Sequence, residues 1–154
     1  MLTEEGFFAE LRRLSHQPQM AEKAARRLLS LLEGTDFYAD WRITAFVIKY
    51  PDPSGSGVVF SLPVANKTGW FGFYKSCLRP QIVKVLGTEE AADRVLNSHC
   101  DRLKRLGAKL KGKDIVSVEI ASLEGKEEEV ICLLQETANS LRNEGERVAR
   151  QAGE

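Results

Sequence analysis

An α+β fold is predicted by three features of this 154-residue chain. Apolar residues recur at helical spacing over the first thirty or so positions, a central region alternates with period two between turn clusters, and a helix, a strand and a long helix complete the chain. The order these signals give is α-α-β-β-β-α-β-α. It reads as an N-terminal helical hairpin, a three-stranded antiparallel meander, a helix, a fourth strand and a long C-terminal helix packed across the sheet. No internal repeat or linker interrupts it, so residues 1–154 read as a single α+β domain.

Thr3 is placed to cap the first helix, with Glu4 and Glu5 at its positive end and Phe7, Phe8, Leu11 and Leu14 along one side. Pro18 suits the first turn of a second helix striped by Met20, Ala24, Leu28, Leu31 and Leu32, which Gly34 stops. From Trp41 the period becomes two. Ile43, Ala45 and Val47 alternate with Thr44, Phe46 and Ile48, and because both sets are largely apolar this strand is expected to be covered on both faces. The breakers Pro51-Asp52-Pro53-Ser54-Gly55-Ser56-Gly57 lead to a second strand, Val58 to Leu62, and Asn66-Lys67-Thr68-Gly69 lead to a third, Trp70 to Lys75. Pro80 limits the next element to a short one. Thr88 then caps a helix that begins with Glu89 and Glu90 and is lined by Ala92, Val95, Leu96, His99, Leu103 and Leu106. Gly107 and Gly112 bracket a basic exit, and Ile115 to Ile120 is a β-branched fourth strand. The last helix starts between Glu124 and Glu127, where an acidic run favours its first turn, and Val130, Leu133, Leu134, Leu141 and Val148 continue its stripe.

Composition bounds the function classes. Lys and Arg together number 22 and Asp and Glu number 22, so no global field draws the chain to nucleic acid or membrane, and any electrostatic role is local. Cys77, Cys100 and Cys132 lie far apart without ligand spacing and are expected to be reduced, buried thiols, Cys77 being the one to test for reactivity. The start of the chain is acidic where a presequence is basic, and apolar runs are short, so a cytoplasmic location without a membrane partner is expected.

Catalytic signals are lacking in the sequence: it shows no triad, no paired carboxylates at useful spacing and no metal-ligand spacing, so no catalytic residue, metal or cofactor is assigned. His99 and Cys100 are neighbours on a helix and point about 100° apart, which argues against a nucleophile–base pair. Gly55 and Gly57 precede a strand instead of opening a helix, so nothing favours a nucleotide. The most suggestive feature is basic. Arg102, Lys104, Arg105, Lys109, Lys111 and Lys113 crowd one segment, and on a continuing helix positions 102, 105 and 109 would share a side and offer a positive patch to a phosphate backbone or an acidic protein surface. The same residues also serve simply to offset a helix dipole and guard a strand edge. Trp70 and Tyr74, on one side of an aromatic strand, are candidates for stacking or apolar contact.

Three resemblances follow. The α-β-β-β-α-β order resembles the core of PD-(D/E)xK nucleases, which would imply metal-dependent cleavage. Here the second strand has no carboxylate and Phe73 stands where an acid is expected, so that reading rests on Asp52, Lys75 and Glu119 meeting in space. The same order is similar to small secretion-chaperone-like domains, which offer an apolar groove to an extended partner. Lys67-Thr68-Gly69-Trp70-Phe71-Gly72-Phe73-Tyr74 is similar to part of the RNA-recognition-module octamer, with Trp70 where a glycine is expected. The function expected is a non-enzymatic binding or regulatory domain for another macromolecule, first a protein. The first alternative is nucleic acid held by the 102–113 segment, and the second is a degenerate or metal-dependent nuclease. Oligomeric state is left open, and a homodimer is compatible with the sequence.

Overall fold

The first helix is set by its cap: Thr3 Oγ1 accepts the N–H of Gly6 at 3.0 Å and starts α1, Glu4–Leu14. Pro18 opens α2, Pro18–Leu32. In this computed structural model, which describes residues 3–153, the chain continues through β1 (Tyr38–Trp41), β2 (Ala45–Pro51), β3 (Val59–Asn66) and β4 (Trp70–Tyr74). It then forms α3 (Lys75–Leu86), α4 (Glu89–Arg105), β5 (Lys109–Lys111), β6 (Ile115–Glu119), a short 3-10 turn (Ile120–Leu123) and α5 (Glu127–Ala152). The strands make one antiparallel sheet in the order β1-β2-β3-β4-β6-β5. This is an α+β fold with helices at its start and a long helix at its end.

Alternation within the strands divides the sheet into two faces. Phe46, Ile48, Phe60, Phe71, Phe73 and Val116 point one way and are fully buried in a core shared with the helices. Phe7 of α1 meets Phe8, Trp41 and Phe46 edge-on, with ring centroids 5.2, 5.6 and 5.2 Å away. The opposite positions, including Val47, Lys49, Val64, Trp70, Tyr74 and Ile115, remain partly exposed. β2 therefore has one core face and one open face, which corrects the expectation of cover on both.

Other local expectations shift for physical reasons. Arg42 N–H bonds the carbonyl of Ala45 at 2.8 Å and closes a hairpin, so Ile43 is a tip residue, 76% exposed, and the segment before it is a separate strand. α2 buries Ala21, Ala24, Ala25, Leu28 and Leu32 while Met20 is 43% exposed; the three alanines of its inner stripe let the helix pack closely on α5 and the 3-10 turn. α3 runs for 12 residues through Pro80. The proline ring faces outward, and burial of Leu78, Ile82 and Leu86, worth about 2 kcal/mol each, outweighs the ~3 kcal/mol cost of an interior proline. Of the cysteines only Cys100 is buried; Cys77 and Cys132 are exposed, and all three are unpaired.

α3 also completes the sheet. β3 pairs with β4 only through Val64 and Ala65, which leaves the Ser61 N–H without a strand partner on that side. Gln81 supplies one: its side-chain carbonyl accepts that N–H at 2.7 Å, and its amide donates to Ser61 Oγ at 3.2 Å. Among the described residues no helix is long and apolar enough to cross a membrane.

Candidate functional site

Sheet register assembles the site. On the open face Trp70 stands opposite Glu119, Gly72 opposite Ser117 and Tyr74 opposite Ile115. Beyond them Lys109 pairs with Ser117 and Lys111 with Ile115. Partners in an antiparallel ladder share a face, so Trp70, Tyr74, Lys109 and Lys111 all project to the same side, the aromatics two strands, or about 10 Å, from the lysines.

The aromatic pair has an unusual spacing. Positions four apart in a strand are about 13 Å apart along the backbone, yet the rings of Trp70 and Tyr74 have centroids 5.9 Å apart at 80°. They lean together over Gly72, which has no side chain to separate them. A Cβ there would lie 2.1 Å from the Val116 carbonyl oxygen and 2.7 Å from Ser117 Cα, so glycine also permits the close approach of β4 to β6. Ser117 is buried beneath the pair, and Val64 and Val47 extend the half-buried apolar surface toward β2. Lys49 lies on this face too, its ammonium donating to Ser61 Oγ at 2.7 Å.

The six basic residues divide into two groups. α4 ends at Arg105, and Gly107, at φ 98°, turns the chain out of the helix, so Lys109 belongs to β5 and shares no helix side with Arg102 and Arg105. Arg102 is committed to internal contacts: it donates to Thr137 Oγ1 at 3.0 Å and to Ser140 Oγ at 2.7 Å, and pairs with Glu136 at 3.3 Å, clamping α4 to α5. Burial pushes its guanidinium pKa down. Arg105 also reaches Glu136, at 3.5 Å. Lys104, Lys109, Lys111 and Lys113 are exposed and form no ion pair within 4.0 Å among the described residues. The acidic stretch is largely spent on α2: Glu124 pairs with Lys23 and Glu128 with Arg27, each at 3.1 Å, while Glu127 folds back onto the N–H of Gly125.

Other expected groupings do not assemble. Lys75 and Glu119 lie at opposite ends of the β4–β6 ladder, and Asp52 sits in the β2–β3 loop, where Ser54 and Ser56 donate to its carboxylate. No cluster of three or more His, Cys, Asp or Glu side chains able to hold a metal is found among the described residues. His99 is fully buried between Phe73 and Thr137. Comparison with known protein families, curated proteins and solved structures finds no match.

Reading the sequence alone misses Val47, Val64, Gly72, Ile115 and Ser117 as parts of this surface. Alternation puts Gly72 between Trp70 and Tyr74 on the same side of their strand, but nothing in the residue order pairs that strand with 115–119 or 109–111.

Proposed function

We propose that the chain is a non-enzymatic binding domain that docks another protein on its open sheet face. Trp70 and Tyr74 are the apolar anchors, and Lys109, Lys111 and Lys113 meet an acidic stretch of the partner. The observation that carries this reading is the register Tyr74–Ile115–Lys111, which joins an aromatic pair and uncommitted cations on one half-exposed surface. Exposed aromatic side chains are enriched at protein interfaces, and rim cations steer and orient an acidic partner by charge complementarity. Rings at 80° to each other cannot both lie flat for successive stacked bases, which favours a protein over single-stranded nucleic acid. A cytoplasmic location accompanies the proposal, supported by two exposed, unpaired thiols.

The test is affinity capture from the native lysate with the parent chain, Trp70→Ala, and the double variant Lys109→Glu with Lys111→Glu, each with and without nuclease. A stoichiometric protein that survives nuclease and is lost with both variants supports the proposal. Retention that disappears on nuclease treatment replaces it with nucleic-acid binding by the same lysines, which would then show steep salt dependence.

A further inference from the structure

The sheet ends at β5, and the hydrogen bonds of its neighbours fix which backbone groups that edge leaves free. Ile120 N–H donates to the Gly69 carbonyl at 2.7 Å and Lys75 N–H to the Asp114 carbonyl at 2.9 Å, so positions 114, 116, 118 and 120 turn their backbone groups toward β4. Positions 115 and 117 therefore face β5 and bond their ladder partners Lys111 and Lys109. Leu110, between those two, directs its N–H and C=O out of the sheet edge, where no strand follows.

Side chains alternate in chemistry around this free pair. Lys109 and Lys111 project to the open face, exposed and without an ion pair among the described residues, whereas Leu110 projects to the opposite face and is 47% exposed. Asp114 holds their hairpin in place: its carboxylate accepts the Ser76 N–H at 2.6 Å and the Ser76 hydroxyl at 2.7 Å, at the start of α3. The edge is thus preorganised for pairing. Two β5 edges paired antiparallel about Leu110 would set Lys109 of one copy against Lys111 of the other, so like charge excludes a second copy here. The same lysines that guard the edge against itself favour an acidic strand.

We propose, resting on protein docking at the open sheet face, that the partner adds an extended segment to β5 as a further antiparallel strand, with acidic side chains flanking an apolar one. The apolar residue stands opposite Leu110 and exchanges both backbone hydrogen bonds with it. Its acidic neighbours fall opposite Lys109 and Lys111 in the non-hydrogen-bonded positions, where side chains of an antiparallel pair come closest, and on the same face as Trp70 and Tyr74.

Fluorescence anisotropy of a labelled, end-blocked peptide, Ser-Glu-Val-Glu-Ser, titrated with the full chain tests this, and saturable binding is expected. N-methylation of the valine removes the N–H aimed at Leu110 and should weaken binding at least about tenfold; N-methylation of the first glutamate, whose N–H points away from β5, should change it less than about twofold. Lys109→Glu with Lys111→Glu, both exposed positions, should also weaken it at least about tenfold. Absence of saturable binding, valine methylation weakening it no more than glutamate methylation, or indifference to the lysine variant overturns strand addition. Docking at the open face survives such a result if a captured protein is still lost in Trp70→Ala, and fails by itself if the peptide binds as expected but that captured protein is retained in Trp70→Ala.

Discussion

His99 shows what a single residue contributes at the centre of this molecule. It lies where α4, α5 and β4 meet, with Nδ1 2.7 Å from Thr137 Oγ1, its ring 4.6 Å from that of Phe73, and no partner for Nε2 among the described residues. Burial, with the nearby Arg102 guanidinium second, pushes its pKa down to about 3. The unfolded chain takes up a proton there near the ordinary value of about 6.5 while the folded chain does not, so stability is full above that value and falls as pH drops toward about 3. Urea unfolding should lose about 2 kcal/mol between pH 7 and pH 5, and His99→Gln should remove most of that dependence. Glu22, held down to about 2 by Arg12 and then Arg26, loses its contribution only below the ordinary carboxylate range and leaves this window clear. Gly72 is the other decisive residue. Because the added Cβ would strike β6 backbone, Gly72→Ala should cost about 3 kcal/mol, measured as a shift in denaturant midpoint at unchanged m-value. The sequence gives a reason to place His99 on an inner helix face, since it falls on the stripe with Leu96 and Leu103. It gives no hint of the Thr137 contact, because that depends on how α5 crosses α4.

Among the elements, those with long periodic patterns are legible and the short ones are not. α1, α4 and α5 have caps or acidic first turns followed by clear stripes, and the structure has them where those signals lie. β1 and β5, of four and three residues, are too short for alternation to stand out from loop, and the turn at Arg42–Thr44 contains none of the glycine, proline or asparagine that usually marks one. α3 runs on past Pro80 because tertiary burial overrides a local breaker. That helix also makes a contact no pattern announces, Gln81 standing in for a missing strand beside Ser61. Gln81→Ala should leave the Ser61 N–H unpaired and cost about 1 kcal/mol in thermal or urea unfolding, with hydrogen exchange at Ser61 accelerated.

At the scale of the whole molecule, charge and exposure are distributed unevenly. Many of the arginines are spent joining helices: Arg27 to Glu128, Arg94 to Glu144, and Arg102 with Arg105 to Glu136. Lysines remain free at the β5 edge, beside the part of the sheet where Trp70 and Tyr74 are partly exposed. The residue types of this surface are readable in the chain, but not their meeting, because strand order and register arise from packing of the complete fold. The central claim concerns that surface, and lysine acetylation of the chain with and without its captured partner, read by mass spectrometry, tests it most directly. Protection of Lys109, Lys111 and Lys113 in the complex, with Lys23 and Lys126 on the helical side labelled equally in both states, is the predicted result; equal labelling of all five lysines with the partner bound would contradict it.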